Sequence, residues 1–143
     1  MSLEPLLLVN LTTSLYMTGL IWFVQVVHYP LFARVSPQDF ALYEQQHQRL
    51  TTRVVAPAML LELAVSVLLL ISRPSSAVAW VAGSLTLLVW LSTMAIQVPL
   101  HQKLAGQFEL ASIRALVSSN WIRTVAWSMR SLVLLWAVGN HHA

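Results

Sequence analysis

Residues 77–98 read AVAWVAGSLTLLVWLSTMAIQV, a stretch with no Asp, Glu, Lys or Arg. At 1.5 Å per residue a helix of this length covers roughly 33 Å, enough for the ~30 Å hydrocarbon core of a bilayer. Its apolar residues are continuous, not alternating, which selects a helix over a barrel strand. Three further apolar runs flank it. One extends from about Pro5 to Tyr29 without a charge, one from about Val54 to Ser72 with Glu62 alone, and one from about Trp121 to Val138 with Arg123 near its start and Arg130 inside. The sequence therefore predicts an all-α integral membrane domain over residues 1–143. Its architecture is a four-transmembrane-helix bundle with spans at about 5–29, 54–72, 77–98 and 121–138.

The composition agrees. Of the 143 residues 57% are hydrophobic and only 9% charged, against about 25% charged in a water-soluble domain. The net charge of +3 reflects few acids and dispersed Lys and Arg, not a basic patch. That argues against a nucleic-acid partner and for contact with anionic lipid headgroups. With no cysteine, dithiol relays, iron–sulfur clusters and thiolate metal sites are excluded. The Met-Ser-Leu-Glu-Pro start has no basic n-region or cleavage site, so the first run is expected to be a span and not a removable signal.

The connections set the topology. Ser72-Arg73-Pro74-Ser75-Ser76 reads as a tight turn between antiparallel helices. Ser36-Pro37-Gln38-Asp39 reads as a helix start, with Ser36 at N-cap, Pro37 at N1 and an acid at N3. A short cytoplasmic helix would run from there into the second span. Residues 104–119 form the corresponding connection, interrupted by Gly106. These two long connections carry Arg34, Arg49, Arg53, Lys103, Arg114 and Arg123, whereas the turn carries only Arg73. The positive-inside rule puts both in the cytoplasm and both termini outside, as in a bacterial inner-membrane protein. Trp80 and Trp136 then lie near the outer interface and Trp121 near the inner one. Residues 51–59 and 121–129 share Arg, Val, Ala and Met at matched places, which suggests two tandem helix-pair repeats or chance similarity between membrane sequences.

Helical spacing gathers polar residues into stripes: Ser14, Thr18, Gln25 and His28; Thr51, Glu62 and Ser66; Thr86, Trp90, Thr93, Gln97 and His101; Asn120, Arg123, Trp127 and Arg130. Four stripes on four helices imply a polar interior, because polar groups facing lipid find no partner. Ser and Thr fit plain interhelical packing. Glu62 and Arg130 lie at similar depth and are expected to pair, either to fix helix register or to hold a polar group of a substrate.

His28 and His101 end the first and third spans, and Glu44-x-x-His47 puts a carboxylate and an imidazole on one helix face. His28, Glu44, His47 and His101 could ligate a transition metal, with Gln25 or Gln97 orienting the rings. Alternatively, they are interfacial histidines bonded to carbonyls and headgroups. Trp22, Trp90 and Trp127 lie at comparable depths and could line a slot for a quinone-like or aromatic ligand, or only fill volume.

Val98-Pro99-Leu100-His101 and Asn120-Trp121-Ile122-Arg123 resemble the elements that close the third helix and open the fourth in the anthrone-oxygenase-like family of small four-helix membrane proteins. His101 stands where Asn is commoner in that family. The resemblance covers about a third of the chain. It implies a four-helix membrane fold, oxidation of a polycyclic aromatic, and roles for His101, Asn120 and Arg123.

Three functions are compatible with these residues. The first is an oxidoreductase or oxygenase acting on a small apolar or aromatic molecule near the cytoplasmic face, with His28, His101 and Arg123 catalytic and Gln25, Gln97, Asn120 and the tryptophans orienting the substrate. The second is a non-catalytic subunit or assembly factor of a larger membrane complex. The third is a small proton- or solute-conducting bundle built on Glu62, Arg130 and the histidines, which would need a homo-oligomer to enclose a lumen.

Overall fold

A computed structural model describes residues 3–141, and among them all but short connections is helical, with no strand. Four long helices run up and down. We label them α1 (residues 3–34), α2 (Phe40–Ser72), α3 (Ala77–Leu104) and α4 (Leu110–His141). Each packs against two neighbours, in the ring order α1, α2, α3, α4. Three of them, over Pro5–Arg34, Phe40–Ser72 and Ala77–Leu104, are long and apolar enough to cross a membrane.

The helices begin and end differently from the sequence reading. Ser36 does not cap α2. Its hydroxyl donates to Gln38 Oε1 at 2.5 Å, and residues 37–39 form a turn, so the helix starts at Phe40 with Asp39 at N-cap. Pro37 fits a turn as well as a first helical position, and the turn prevails. Asp39 N–H bonds to the Ser36 carbonyl at 3.1 Å and Tyr43 N–H to that of Asp39 at 3.0 Å. α2 is then unbroken, so the surface helix and the second span are one element. The last connection is also shorter than expected. Only residues 105–109 leave the helix, and Lys103 Nζ ties across it to Glu109 Oε2 at 2.6 Å. Hydrogen bonds from Lys103 and then Ser112 hold the exposed Glu109 carboxyl below its usual range. At the other end, Ser76 caps α3 by accepting from Ala79 N–H at 3.3 Å. There Gly83 lets α2 come close, since a Cβ on it would stand 2.8 Å from Leu70 Cδ1.

α1 and α3 both pass through a wide π turn, at Val24–His28 and Thr93–Gln97. Each turn ends two residues before a proline, Pro30 and Pro99. A proline ring crowds the carbonyl four residues back and offers no N–H. The wider turn relieves this: Tyr29 N–H reaches back to Val24 O, and Val98 N–H to Thr93 O. Such turns shift the azimuth of every side chain beyond them. They also set the polar ends of α1 and α3.

Glu62 and Arg130 pair as expected, at 2.8 Å and fully buried. Every arm of the guanidinium is used. Nη2 donates to Asn10 Oδ1 (2.7 Å) and Ser66 Oγ (2.8 Å), Nε donates to Thr86 Oγ1 (2.9 Å), and Nη1 also reaches Asn10 O (3.3 Å). The second Glu62 oxygen accepts from Trp127 Nε1 at 2.9 Å. A buried ion pair offsets its desolvation only when its remaining donors and acceptors are met, and here all four helices meet them. Ser14 and Thr18 of α1 both reach Ser131 of α4, at 2.9 and 2.8 Å.

Candidate functional site

The second polar cluster lies at the end of the bundle that carries the 35–39 and 105–109 connections. Tyr29, one residue past the π turn of α1, is its centre. Arg123 Nη2 donates to the Tyr29 hydroxyl at 3.2 Å, and the same hydroxyl lies 2.8 Å from His101 Nε2. His101 Nδ1 lies 2.5 Å from Glu44 Oε1. One placement of hydrogens satisfies every link of this chain. A guanidinium can only donate, so Tyr29 accepts from Arg123, and its own proton is then available to His101 Nε2, with the ring proton on Nδ1 toward Glu44. Four side chains from four helices form one directed relay: Arg123, Tyr29, His101, Glu44.

Other residues hold the relay. Asn120 Oδ1 accepts from Arg123 Nε at 2.9 Å and Nη2 at 2.5 Å, and Asn120 Nδ2 donates to Gln25 Oε1 at 2.8 Å. Gln25 in turn donates to the Val117 carbonyl at 3.0 Å. Gln48 donates to Glu44 Oε1 at 3.1 Å and to the His101 carbonyl at 2.8 Å. His28 Nε2 lies 2.9 Å from His47 Nδ1, which also meets the Thr51 hydroxyl at 3.1 Å. The His47 and His101 rings are 5.3 Å apart.

Beside this cluster is a cavity of about 320 Å³ with mostly apolar walls. Met17, Leu20, Ile21, Val55 and Met59 line its body, and Tyr29, His47, His101 and Arg123 line its polar end, joined by Gln97 and Trp90. Gln97 Nε2 donates to Ser119 Oγ at 3.0 Å, while Gln97 Oε1 and Trp90 Nε1 are buried without partners.

The residues nominated from the sequence divide accordingly. His101, Arg123, Gln97, Trp90 and Trp127 border the cavity. Gln25 and Asn120 stand behind Arg123 as its support. Glu62 and Arg130 belong to the other cluster, and Trp127 stands between them and the cavity. Trp22 is outside the slot expected for three tryptophans. It is 43% exposed, edge-on to Trp121 at 5.6 Å, and donates to Ser128 Oγ at 3.0 Å. The four nominated metal ligands do meet, but as hydrogen-bond partners. Both nitrogens of His101 are engaged, and His28 and His47 face each other. Among the described residues no group of three or more His, Asp or Glu is set to hold a metal ion.

Tyr29 and Asn10 were absent from the sequence reading of function. Asn10 gave no signal beyond being an amide in an apolar run. Tyr29 closes the first apolar run, and the proline after it is the sequence's one sign of the π turn that aims it. No protein-family model matches this chain, and no curated protein or solved structure is significantly similar to it.

Proposed function

We propose that this is a four-span membrane protein whose cavity binds a small apolar or aromatic molecule and removes a proton from it. The observation that carries this reading is the directed relay from Arg123 through Tyr29 and His101 to Glu44, at the polar end of an apolar cavity. A proton taken from the ligand enters at the Tyr29 oxygen. The Tyr29 proton moves to His101 Nε2, the His101 Nδ1 proton moves to Glu44, and the ligand's new negative charge is left beside Arg123. General base catalysis of this kind needs donor and acceptor at hydrogen-bond distance, and Tyr29 and His101 stand 2.8 Å apart, His101 and Glu44 2.5 Å. An oxidoreductase or oxygenase acting on an aromatic molecule, as the family resemblance at His101, Asn120 and Arg123 implies, could begin with such a proton removal.

The fourth span has its own support. Arg123 and Arg130 lower the hydropathy of α4, yet both are buried in the bundle. Its outward residues include Trp121, Ile122, Val125, Met129, Leu132, Leu135 and Trp136, a surface suited to lipid. The matched π turns before Pro30 and Pro99 support an ancestral duplication of a helix pair. The basic residues of the long connections support a cytoplasmic position for the cluster.

The test is to extract the protein gently, recover the bound molecule and identify it by absorbance and mass. Tyr29→Phe and His101→Gln proteins are then incubated with it. Both are expected to retain it without taking its proton, while in the wild type binding protonates Glu44 and gives a new carboxylic-acid C=O band in infrared difference spectra. The same band at full size in both variants ends the proposal.

A further inference from the structure

Two arginines of α4 are buried to similar extents, Arg123 at 7% exposure and Arg130 at 0%. Arg130 has the Glu62 carboxylate. Among the described residues Arg123 touches no carboxylate. Its partners are the neutral Asn120 amide and Tyr29 hydroxyl, and Nη1 makes no hydrogen bond. The acid nearest along the relay, Glu44, gives Oε1 to His101 and Gln48, keeps Oε2 buried without a partner, and makes no contact with Arg123. A buried cation without a counter-charge is costly, and this one borders a cavity.

The cavity has a sided opening. Of its lining residues, the exposed ones are Thr52 on α2 and Met94 and Gln102 on α3. α2 and α3 are close at Gly83 near their turn, so the mouth lies between them at the opposite end, where a lipid-exposed molecule can enter sideways.

We propose that the missing counter-charge is the ligand's, and that the cavity takes a membrane-borne monocarboxylic acid through the α2–α3 mouth. The inference rests on the reading of the cavity as a proton-accepting ligand site and names the ligand class. A carboxylic acid dissolves in the bilayer in its neutral form. At the site its O–H bond breaks and the electron pair stays on the carboxylate. The proton passes to Tyr29 as the Tyr29 and His101 protons shift on to Glu44. The carboxylate rests on Arg123 through the free Nη1 arm, a charge-assisted contact, and the apolar tail lies along Met17, Ile21 and Met59.

The experiment is equilibrium binding of radiolabelled dodecanoic acid to the purified full chain in maltoside micelles. Dodecanol is the neutral competitor, and helix content and melting are checked for each variant. We expect one saturable site per chain that dodecanol does not compete for at equal concentration. Arg123→Gln should weaken it at least about tenfold, the equivalent of one acid–cation contact, and Arg123→Lys should restore part. Thr52→Trp, which leaves Arg123 untouched, should block entry and slow association. Equal competition by dodecanol, full affinity in Arg123→Gln, or no saturable site each overturns the proposal. Those results leave the relay reading standing if the molecule extracted from the wild type still gives the protonated Glu44 band in a Tyr29-dependent way.

Discussion

Arg123 and Arg130 stand seven residues apart on α4, both buried, and among the described residues only Arg130 touches a carboxylate. The spacing of two helical turns puts both on one face, yet the face serves two purposes. Arg130 closes a network in which every charge is met within the protein. Arg123 opens onto a cavity with one arm free. The first arrangement stabilises one packing of four helices. The second leaves a charge for something else to complete.

The closed network makes a definite mutational prediction. Arg130→Met strands the Glu62 carboxylate among apolar neighbours and should cost about 3–5 kcal/mol of unfolding free energy. Adding Glu62→Leu removes the stranded charge, so the double variant should recover a substantial part of that loss. Unfolding in mixed micelles, followed by helix content, measures the cycle. Strictly additive losses would mean that the 2.8 Å contact carries no coupling energy.

How much of this was legible in the sequence depended on whether a residue's partner could be guessed from depth alone. Glu62 and Arg130 were single opposite charges at matched depth in apolar runs, so their pairing could be read. Asn10 looks like any amide in an apolar run, yet it takes Arg130 Nη2 at 2.7 Å and donates to the Val65 carbonyl at 3.0 Å. Its importance depends on which helices are neighbours, and the sequence does not state that. The π turns explain the other misses. A uniform helical period gave Tyr29 no role, whereas with one wide turn inserted before Pro30 it meets both Arg123 and His101. Trp22 precedes that turn and is placed by depth alone, which says nothing of direction: its neighbour Ile21 borders the cavity and Trp22 faces outward. The prolines announced a disturbance but not its direction.

Metal binding can be tested against the hydrogen-bonded arrangement. His28, Glu44, His47 and His101 are held to one another by the 2.9 Å His28–His47 contact and the 2.5 Å His101–Glu44 contact, and among the described residues no three His, Asp or Glu are placed to share an ion. Zinc or iron(II) added to metal-stripped protein is therefore expected to leave the melting temperature unchanged, since a ligand stabilises only by binding the folded form. A rise of several degrees that His28→Ala and His101→Ala abolish would restore the metal reading.

The cavity predicts a separation of binding from stability. Ala56 is half-buried on the cavity wall, on α2. Ala56→Phe fills space without removing a polar contact, so the melting temperature should hold or rise. Retention of the native ligand through purification should fall roughly tenfold, or about 1.4 kcal/mol of affinity. Quantifying the extracted molecule per chain checks this. Unchanged occupancy would move the ligand out of the cavity.

The crossing of α4 has a direct assay, because the chain has no cysteine of its own. Gln45 and Gln107 are exposed at the end of the bundle that holds the relay, and Ser75 and Asn140 are exposed at the other end. Single cysteines at these four places can be labelled in sealed, oriented vesicles with a membrane-impermeant maleimide. If α4 spans, Ser75→Cys and Asn140→Cys react from one side, and Gln45→Cys and Gln107→Cys from the other. If only three helices cross, Asn140→Cys reacts together with Gln107→Cys. Then Arg123 and Arg130 would no longer have to be sheltered from lipid, and the physical reason for their burial would be lost. The side on which Gln45→Cys reacts also tests the positive-inside assignment, since a cytoplasmic relay requires it to be protected in right-side-out vesicles and labelled in inverted ones.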